Sequence, residues 1–133
     1  MRILGKNVTN KKLIRDSVSG AVLELNYRTP TASEIVNYGT RVYALAEGKM
    51  KINPYARIEF ALNILTGIGE NCFADETGKP ISSDSSSQNY YENWKELLKE
   101  SAEDILMHFA VNVFEGTNIV NRNGALPEIE GID

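Results

Sequence analysis

The chain has 133 residues, one cysteine and a formal net charge of −4 at pH 7. Its length fits one domain with a hydrophobic core of its own, and a single cysteine excludes an internal disulfide. The acidic balance argues against a broad phosphate-binding surface, so we expect no nucleic-acid partner.

The sequence also lacks the usual marks of export or membrane insertion. The opening stretch, MRILGKNVTN, contains no apolar run of the kind that a secretory signal needs. No segment approaches the roughly 20 consecutive apolar residues of a membrane span. These features predict a cytoplasmic protein that has no membrane partner.

A β-hairpin is predicted near the amino terminus. A first run, Leu13–Val18, is followed by Ser19-Gly20 and by a second run, Ala21–Arg28. The second run alternates apolar and polar side chains, which is the pattern of a half-buried strand. The Ser-Gly pair favours a tight turn, because glycine tolerates positive φ angles.

A first helix is predicted to begin at Thr31 and to end near Gly48. Thr31 and Glu34 fit the capping box, in which each side chain satisfies a free backbone N–H of the other residue. Gly48 is a typical helix stop. Apolar residues recur at helical spacing between these ends, at Ile35, Tyr38, Val42 and Leu45.

A second helix is predicted to begin at Asn53-Pro54, an N-cap residue followed by proline in the first turn. Its apolar stripe runs as far as Gly67 and Gly69, which terminate it. Residues 67–89 then form a long serine-rich loop, and loops of this length are usually functional or disordered.

The clearest predicted helix covers residues 90–115. Gly116 caps it, and residues 117–133 show no periodicity, so we expect a flexible C-terminal tail. The apolar face of the helix is formed by Trp94, Leu98, Ile105, Phe109 and Val113. The predicted fold class is therefore α+β: an amino-terminal β-hairpin followed by a three-helix, helix-dominated region, in a single domain at residues 1–116.

Few residues are arranged for catalysis. His108 is the only histidine, and with Asp104 one turn before it the pair falls short of the three or four ligands of a zinc site. We expect His108 to be a partly buried structural residue. Cys72 has no histidine or basic cluster beside it that would activate its thiol, so a packing role or an incidental thiol is expected. The sequence thus predicts no enzymatic activity, no metal site and no cofactor.

One concentration of aromatic residues, Tyr90, Tyr91 and Trp94, stands at the start of the third predicted helix. Tyrosine and tryptophan dominate the anchor residues of protein interfaces, so these three are the candidate partner-binding residues. The alternative is that Tyr91 and Trp94 are core residues and Tyr90 is a loop contact, and we favour it for Trp94 because its spacing matches the apolar stripe. Both interpretations stay open for the two tyrosines.

Several short motifs in residues 20–116 resemble those of a known family. In chain order they are Arg28-Thr29-Pro30-Thr31 with Glu34, Asn53-Pro54-Tyr55-Ala56-Arg57-Ile58, Ile64-Leu65-Thr66-Gly67-Ile68, Gly78-Lys79-Pro80-Ile81-Ser82-Ser83-Asp84, Tyr91 with Trp94-Lys95-Glu96-Leu97-Leu98, and Val113-Phe114-Glu115-Gly116. This order is similar to that of small proteins encoded in phage and prophage tail-gene clusters, of the tail-assembly chaperone type.

The resemblance implies a protein that binds the phage tape-measure protein in the host cytoplasm. It would keep the long hydrophobic helices of that partner soluble until tail-tube subunits polymerise around them. The tail-tube protein and a second copy of the chain are further expected partners. The family has no catalytic residues, so the resemblance assigns no site, and its members are typically absent from the finished virion.

Besides an unrelated adaptor role, two other hypotheses remain open. The first is a structural virion component, such as a head–tail joining or tail-completion protein, in which the hairpin and loop pack between subunits. The second is a small hydrolase or metal enzyme that uses Asp104, His108 and the loop carboxylates.

Overall fold

The computed structural model describes residues 1–116 and contains a mixture of helices and strands, which confirms the α+β class. The helices are α1 (Ala32–Val42), α2 (Pro54–Ile64), α3 (Trp94–Ser101) and α4 (Glu103–Ala110), and a π-helical turn follows at Val111–Glu115. The strands are β1 (Asn10–Arg15), β2 (Val22–Tyr27), β3 (Tyr43–Ala46), β4 (Lys49–Ile52), β5 (Leu65–Ile68), β6 (Phe73–Ala74) and β7 (Pro80–Ile81).

The amino-terminal hairpin is formed by β1 and β2, which pair antiparallel, and β5 adds a third antiparallel strand beside β2. The first strand lies three residues earlier than predicted, at 10–15 instead of 13–18. Asp16 is the reason, because its carboxylate accepts hydrogen bonds from the backbone N–H groups of Val18 and Ser19 at 3.1 Å. This side-chain cap turns the chain before Gly20, which has a positive φ of 77°.

Both predicted helix starts on the amino-terminal side of the molecule are confirmed. At α1, the Thr31 hydroxyl accepts from the Glu34 N–H at 3.2 Å, and the Glu34 carboxylate accepts from the Thr31 N–H at 2.9 Å. At α2, the Asn53 side chain accepts from the N–H groups of Tyr55 and Ala56 at 3.1 and 3.4 Å. Local side-chain chemistry therefore sets where these two helices begin.

A second hairpin, β3–β4, replaces the predicted end of the first helix. The prediction that this helix continues to Gly48 is wrong, since α1 ends at Val42. Glu47 and Gly48 both have positive φ angles, 55° and 75°, as a two-residue hairpin turn requires. The turn pairs the short strands in register, with Leu45 opposite Met50.

The third predicted helix is two helices, so the prediction of three helices is also wrong: residues 1–116 contain four. The helical segment begins at Trp94 rather than at residue 90. Ala102 interrupts it, because its backbone angles, φ −132° and ψ 40°, are not helical. The break redirects the chain, and α4 packs against α2. None of the helices in the described range combines the length and apolar character that a bilayer crossing needs.

The segment predicted as one long loop, residues 67–89, contains the end of β5 and the small hairpin β6–β7. Ser82 is buried in it, donates a hydrogen bond to the Glu70 carboxylate at 2.8 Å and accepts one from the Asp84 N–H at 3.0 Å. The tail predicted at residues 117–133 lies outside the described residues.

One hydrophobic core joins the three-stranded sheet to the helices. Phe109 is fully buried on α4, and its ring meets that of Tyr27 on β2 edge-on, with centroids 5.2 Å apart. The largest fully buried side chains are Phe109, Phe114, Ile14, Leu25, Ile64, Leu65 and Leu106.

Candidate functional site

A polar network lies where α1, α2, β3 and the π-helical turn meet. The Arg57 Nε donates to Glu115 Oε2 at 3.2 Å, and the Arg57 Nη2 donates to the Tyr43 hydroxyl at 2.8 Å. The hydroxyls of Tyr38 and Tyr43 each donate to one carboxylate oxygen of Glu115. The side chains of Arg57 and Glu115 are 17% and 20% exposed, so the ion pair is largely shielded from water.

The charges in this network are balanced. Burial alone would raise the pKa of Glu115, but hydrogen bonds from Tyr38 and Tyr43 and the charge of Arg57 lower it below its usual value. Burial and the same carboxylate raise the pKa of Tyr38. The network therefore holds an ionised Glu115 and protonated phenols over the physiological pH range.

The position of the network suggests a structural role. Tyr43 is the first residue of β3, and the ring of Tyr38 stacks on that of Phe114 with centroids 4.4 Å apart. Each side chain in the network is hydrogen-bonded to another member of it. What the network does is fix the base of the β3–β4 hairpin to the body of the domain.

A second, partly exposed ion pair joins the residue that follows β2 to α1 and α2. Arg28 contacts Glu34 in bidentate fashion, with both N–O distances 2.7 Å, and Asn63 of α2 donates to the same carboxylate at 2.7 Å. The hydrogen bond from Arg28, helped by the capping N–H of Thr31, lowers the pKa of Glu34 to about 2. Glu34 thus serves both as a helix cap and as a tertiary contact.

The β3–β4 hairpin exposes apolar side chains. Side chains alternate between the faces of a strand, so the register places Tyr43, Leu45, Met50 and Ile52 on one face. Leu45, Met50 and Ile52 are 74%, 60% and 54% exposed, and we call these three the hairpin face. Clustered exposure of this kind is typical of an interaction surface, whereas single exposed apolar residues are common.

Two grooves flank α3. The first, which we call the acidic groove, lies between α2 and α3 and has a volume of about 340 Å³. Ile58, a buried residue of α2, lies at its floor. Its full lining is Tyr55, Ile58, Glu59, Glu96, Lys99, Glu100 and Glu103.

The second groove, which we call the tyrosine groove, lies between the β6–β7 turn and α3 and has a volume of about 600 Å³. Tyr91 lines it, and the carboxylates of Asp75, Glu76 and Glu100 stand around it. The rest of the lining is Ala74, Thr77, Leu97 and Ser101.

The structure separates the three candidate partner-binding residues. Trp94 is 8% exposed and belongs to the core, as its place in the apolar stripe indicates. Tyr90 and Tyr91 are 42% and 39% exposed, and Tyr91 opens into the tyrosine groove. The two tyrosines can therefore contact a partner directly, whereas Trp94 supports α3 beneath them.

The residues considered for catalysis do not come together. His108 and Asp104 are both exposed on α4, so the prediction of a partly buried histidine is wrong. His108 is next to the apolar face, as its spacing indicates, but Ile105, Leu106 and Phe109 occupy the buried side of α4 and His108 lies outside it. No cluster of three His, Cys, Asp or Glu side chains suited to a metal ion occurs in residues 1–116.

Cys72 packs at the edge of the core. Its sulfur accepts a long hydrogen bond from the Glu24 N–H at 3.4 Å. A Cβ atom built on Gly69 would lie 2.9 Å from the Cys72 sulfur and 2.7 Å from the Glu24 Cβ. The thiol therefore fills a tight space beside a glycine, which fits the expected packing role.

No family model matches the chain, and neither a curated protein nor a solved structure matches it.

Sequence reasoning missed the hairpin face and the acidic groove. The signal for the hairpin was present in Glu47-Gly48, a turn pair between two alternating runs. The signal for the acidic groove was weaker, because α2 and α3 are 29 residues apart at their nearest ends and only their packing brings Glu59 near Glu96.

Proposed function

We propose that this protein is a non-enzymatic chaperone of phage tail assembly that binds a helical segment of the tape-measure protein. The proposal is based on the tyrosine groove. This groove is lined by the exposed Tyr91, by apolar Leu97 and by acidic side chains. The identity of the partner comes from the motif resemblance.

The chemistry of the tyrosine groove suits an amphipathic helix. Tyr91 and Leu97 offer apolar and aromatic contact, and such residues are the usual anchors for a helix that lies in a groove. Asp75, Glu76 and Glu100 would attract lysine or arginine on the flanks of that helix. The expected partner segment is therefore apolar on one face and basic at its edges.

Association with the partner is tested by affinity capture. The tagged full-length chain is used as bait in the host during prophage induction, and captured proteins are identified by mass spectrometry. We expect a long helix-rich tape-measure protein in the eluate and no copies of this chain in purified mature particles. Capture without that protein, in cells that produce it, would refute the chaperone function.

The site is tested by paired variants of the bait. Tyr91→Ala and Glu76→Lys should each reduce capture of the tape-measure protein about tenfold, since each removes contact or reverses charge at the groove. Val36→Ala is the control, because Val36 is an exposed apolar residue of α1 that lines neither groove. An equal loss with Val36→Ala would remove the assignment of the tyrosine groove.

The hairpin face favours a second candidate, a head–tail joining or tail-completion protein that stays in the virion. Exposed apolar side chains on a protruding hairpin are suited to permanent contact between subunits. Retention of the chain in purified particles, together with capture of tube or head proteins only, would establish this second function in place of the first.

A further inference from the structure

We propose that the chain self-associates by placing the β3–β4 hairpin of one copy in the acidic groove of another. The acidic groove shares only Glu100 with the tyrosine groove. The contact extends the proposed function, because it concerns the assembly state of the chaperone itself. Three observations support it: the hairpin face, the charges on that hairpin and the lining of the acidic groove.

The hairpin supplies apolar contact. Leu45 and Met50 are directly opposite each other across the two strands, and both are more than half exposed. Paired apolar side chains on a two-stranded hairpin are stable in water only when something covers them, since a hairpin has no core of its own. The hydrogen bond from Tyr43 to Glu115 ties the first residue of the hairpin to the body of the domain.

The acidic groove supplies a matching receptor. Ile58 forms an apolar floor, and the rim carries four glutamates and one lysine. The groove lies within the size range of pockets that accept a few large side chains. The hairpin of the same chain leaves it open, because neither Leu45 nor Met50 lines it.

Charge complementarity selects a second copy as the occupant. Lys49 and Lys51 of the hairpin form no ion pair with another residue of 1–116. The same holds for Glu96, Glu100 and Glu103 at the groove rim. The lysines lie on the opposite strand face from Leu45 and Met50, and their long flexible stems allow the ammonium groups to reach the rim while the hairpin face covers the floor.

The contact joins two different surfaces, so each copy carries both halves of it. Such a contact closes as a reciprocal pair or as a ring, whereas a rotation that does not close gives an open filament. In the closed forms every hairpin face is covered, which removes the exposed apolar surface from solvent.

The experiment is sedimentation of the purified full-length chain without any partner, over a range of concentration and salt. We expect a defined oligomer that weakens at high salt, because rim charges are screened. Leu45→Ser with Met50→Ser should raise the dissociation constant about a hundredfold, as two large side chains lose their burial. A wild-type chain that stays monomeric throughout the range would overturn the proposal.

A charge exchange tests the pairing directly. One variant carries Lys49→Glu and Lys51→Glu, and a second carries Glu96→Lys and Glu100→Lys. Each alone should associate about tenfold more weakly than wild type, and a mixture of the two should recover wild-type association because both contacts are again complementary. The matched control, Lys6→Glu with Lys79→Glu, changes charge equally outside both surfaces and should leave association unchanged.

Failure of the mixture to recover would overturn the hairpin-in-groove pairing even if the chain oligomerises. Because no partner protein is present, these outcomes do not depend on capture of the tape-measure protein. Conversely, loss of partner capture with normal sedimentation would count against the proposed function and leave the self-association intact.

Discussion

Tyr43 and Glu115 are 72 residues apart in the sequence and are joined by a hydrogen bond from the phenol to the carboxylate. This bond links the first residue of the β3–β4 hairpin to the end of the last helical turn. Arg57 of α2 contacts both side chains. The hairpin that we assign to self-association is therefore anchored by contacts of Tyr43 with Arg57 and Glu115.

Glu115→Ala should lower the free energy of unfolding by about 2 kcal/mol, because it leaves Arg57 and two phenols without their acceptor in a largely shielded site. Urea denaturation followed by circular dichroism measures the change. Glu92→Ala, an exposed residue that forms no ion pair within residues 1–116, is the control and should change stability by less than about 0.5 kcal/mol. Equal effects in the two variants would contradict the role given to the network.

The lowered pKa of Glu34 should make the stability of the protein depend on pH. The folded state lowers its pKa from 4.5 to about 2, so the folded protein binds fewer protons than the unfolded chain between these values. The contribution of Glu34 is complete above its unfolded pKa of 4.5 and is lost as the pH falls toward about 2.

The test compares wild type with Glu34→Gln in urea titrations from neutral to acidic pH. At neutral pH the variant should be less stable by about 1–2 kcal/mol, since a charge-assisted hydrogen bond is lost. The difference should shrink as the solution becomes more acidic. A difference that stays constant across this range would show that the ion pair contributes nothing to the pH dependence.

Replacing Gly69 and Gly39 by alanine should change the stability of the protein in opposite directions. Gly69→Ala should destabilise the protein by about 1–3 kcal/mol, because its Cβ would approach the Glu24 Cβ to 2.7 Å. Gly39→Ala lies inside α1, where a Cβ meets no atom within 4 Å, and should stabilise by about 0.5–1 kcal/mol. Thermal unfolding of both variants checks the pair, and a shift in the same direction for both would refute this packing argument.

Lys95 is predicted to stabilise the end of α2. Its ammonium donates to the Leu62 carbonyl at 2.9 Å, and burial lowers its pKa. Lys95→Met keeps the apolar stem and should cost about 1 kcal/mol, because a carbonyl in the last helical turn loses its donor. Lys99→Met, an exposed lysine on the same helix, serves as the reference and should have little effect in the same urea titration.

Local signals in the sequence were sufficient for the starts of α1 and α2, where a side chain bonds to its own backbone neighbourhood. Thr31 with Glu34 and Asn53 with Pro54 predicted the helix starts because caps act over three residues. The stripe that contains Trp94 also predicted a core position, since a helical period reports which face is apolar.

Other features were decided by contacts between distant segments. The apolar residue Leu45 continued the helical spacing of α1, yet the positive φ angles at Glu47 and Gly48 and the anchoring of Tyr43 by Glu115 turned that stretch into a hairpin. The break at Ala102 separates α3 from α4, and α4 packs on α2.

The sequence by itself determined the α+β class, the amino-terminal hairpin and the beginnings of α1 and α2. These depend on hydrophobic period and capping, which are properties of neighbouring residues. Only the tertiary structure decided that Leu45 and Met50 stand exposed on a rigid hairpin and that Glu59 and Glu96 share one groove. Those surfaces arise from the packing of segments that are far apart in the chain. A local sequence pattern does not specify which side chains such packing leaves exposed.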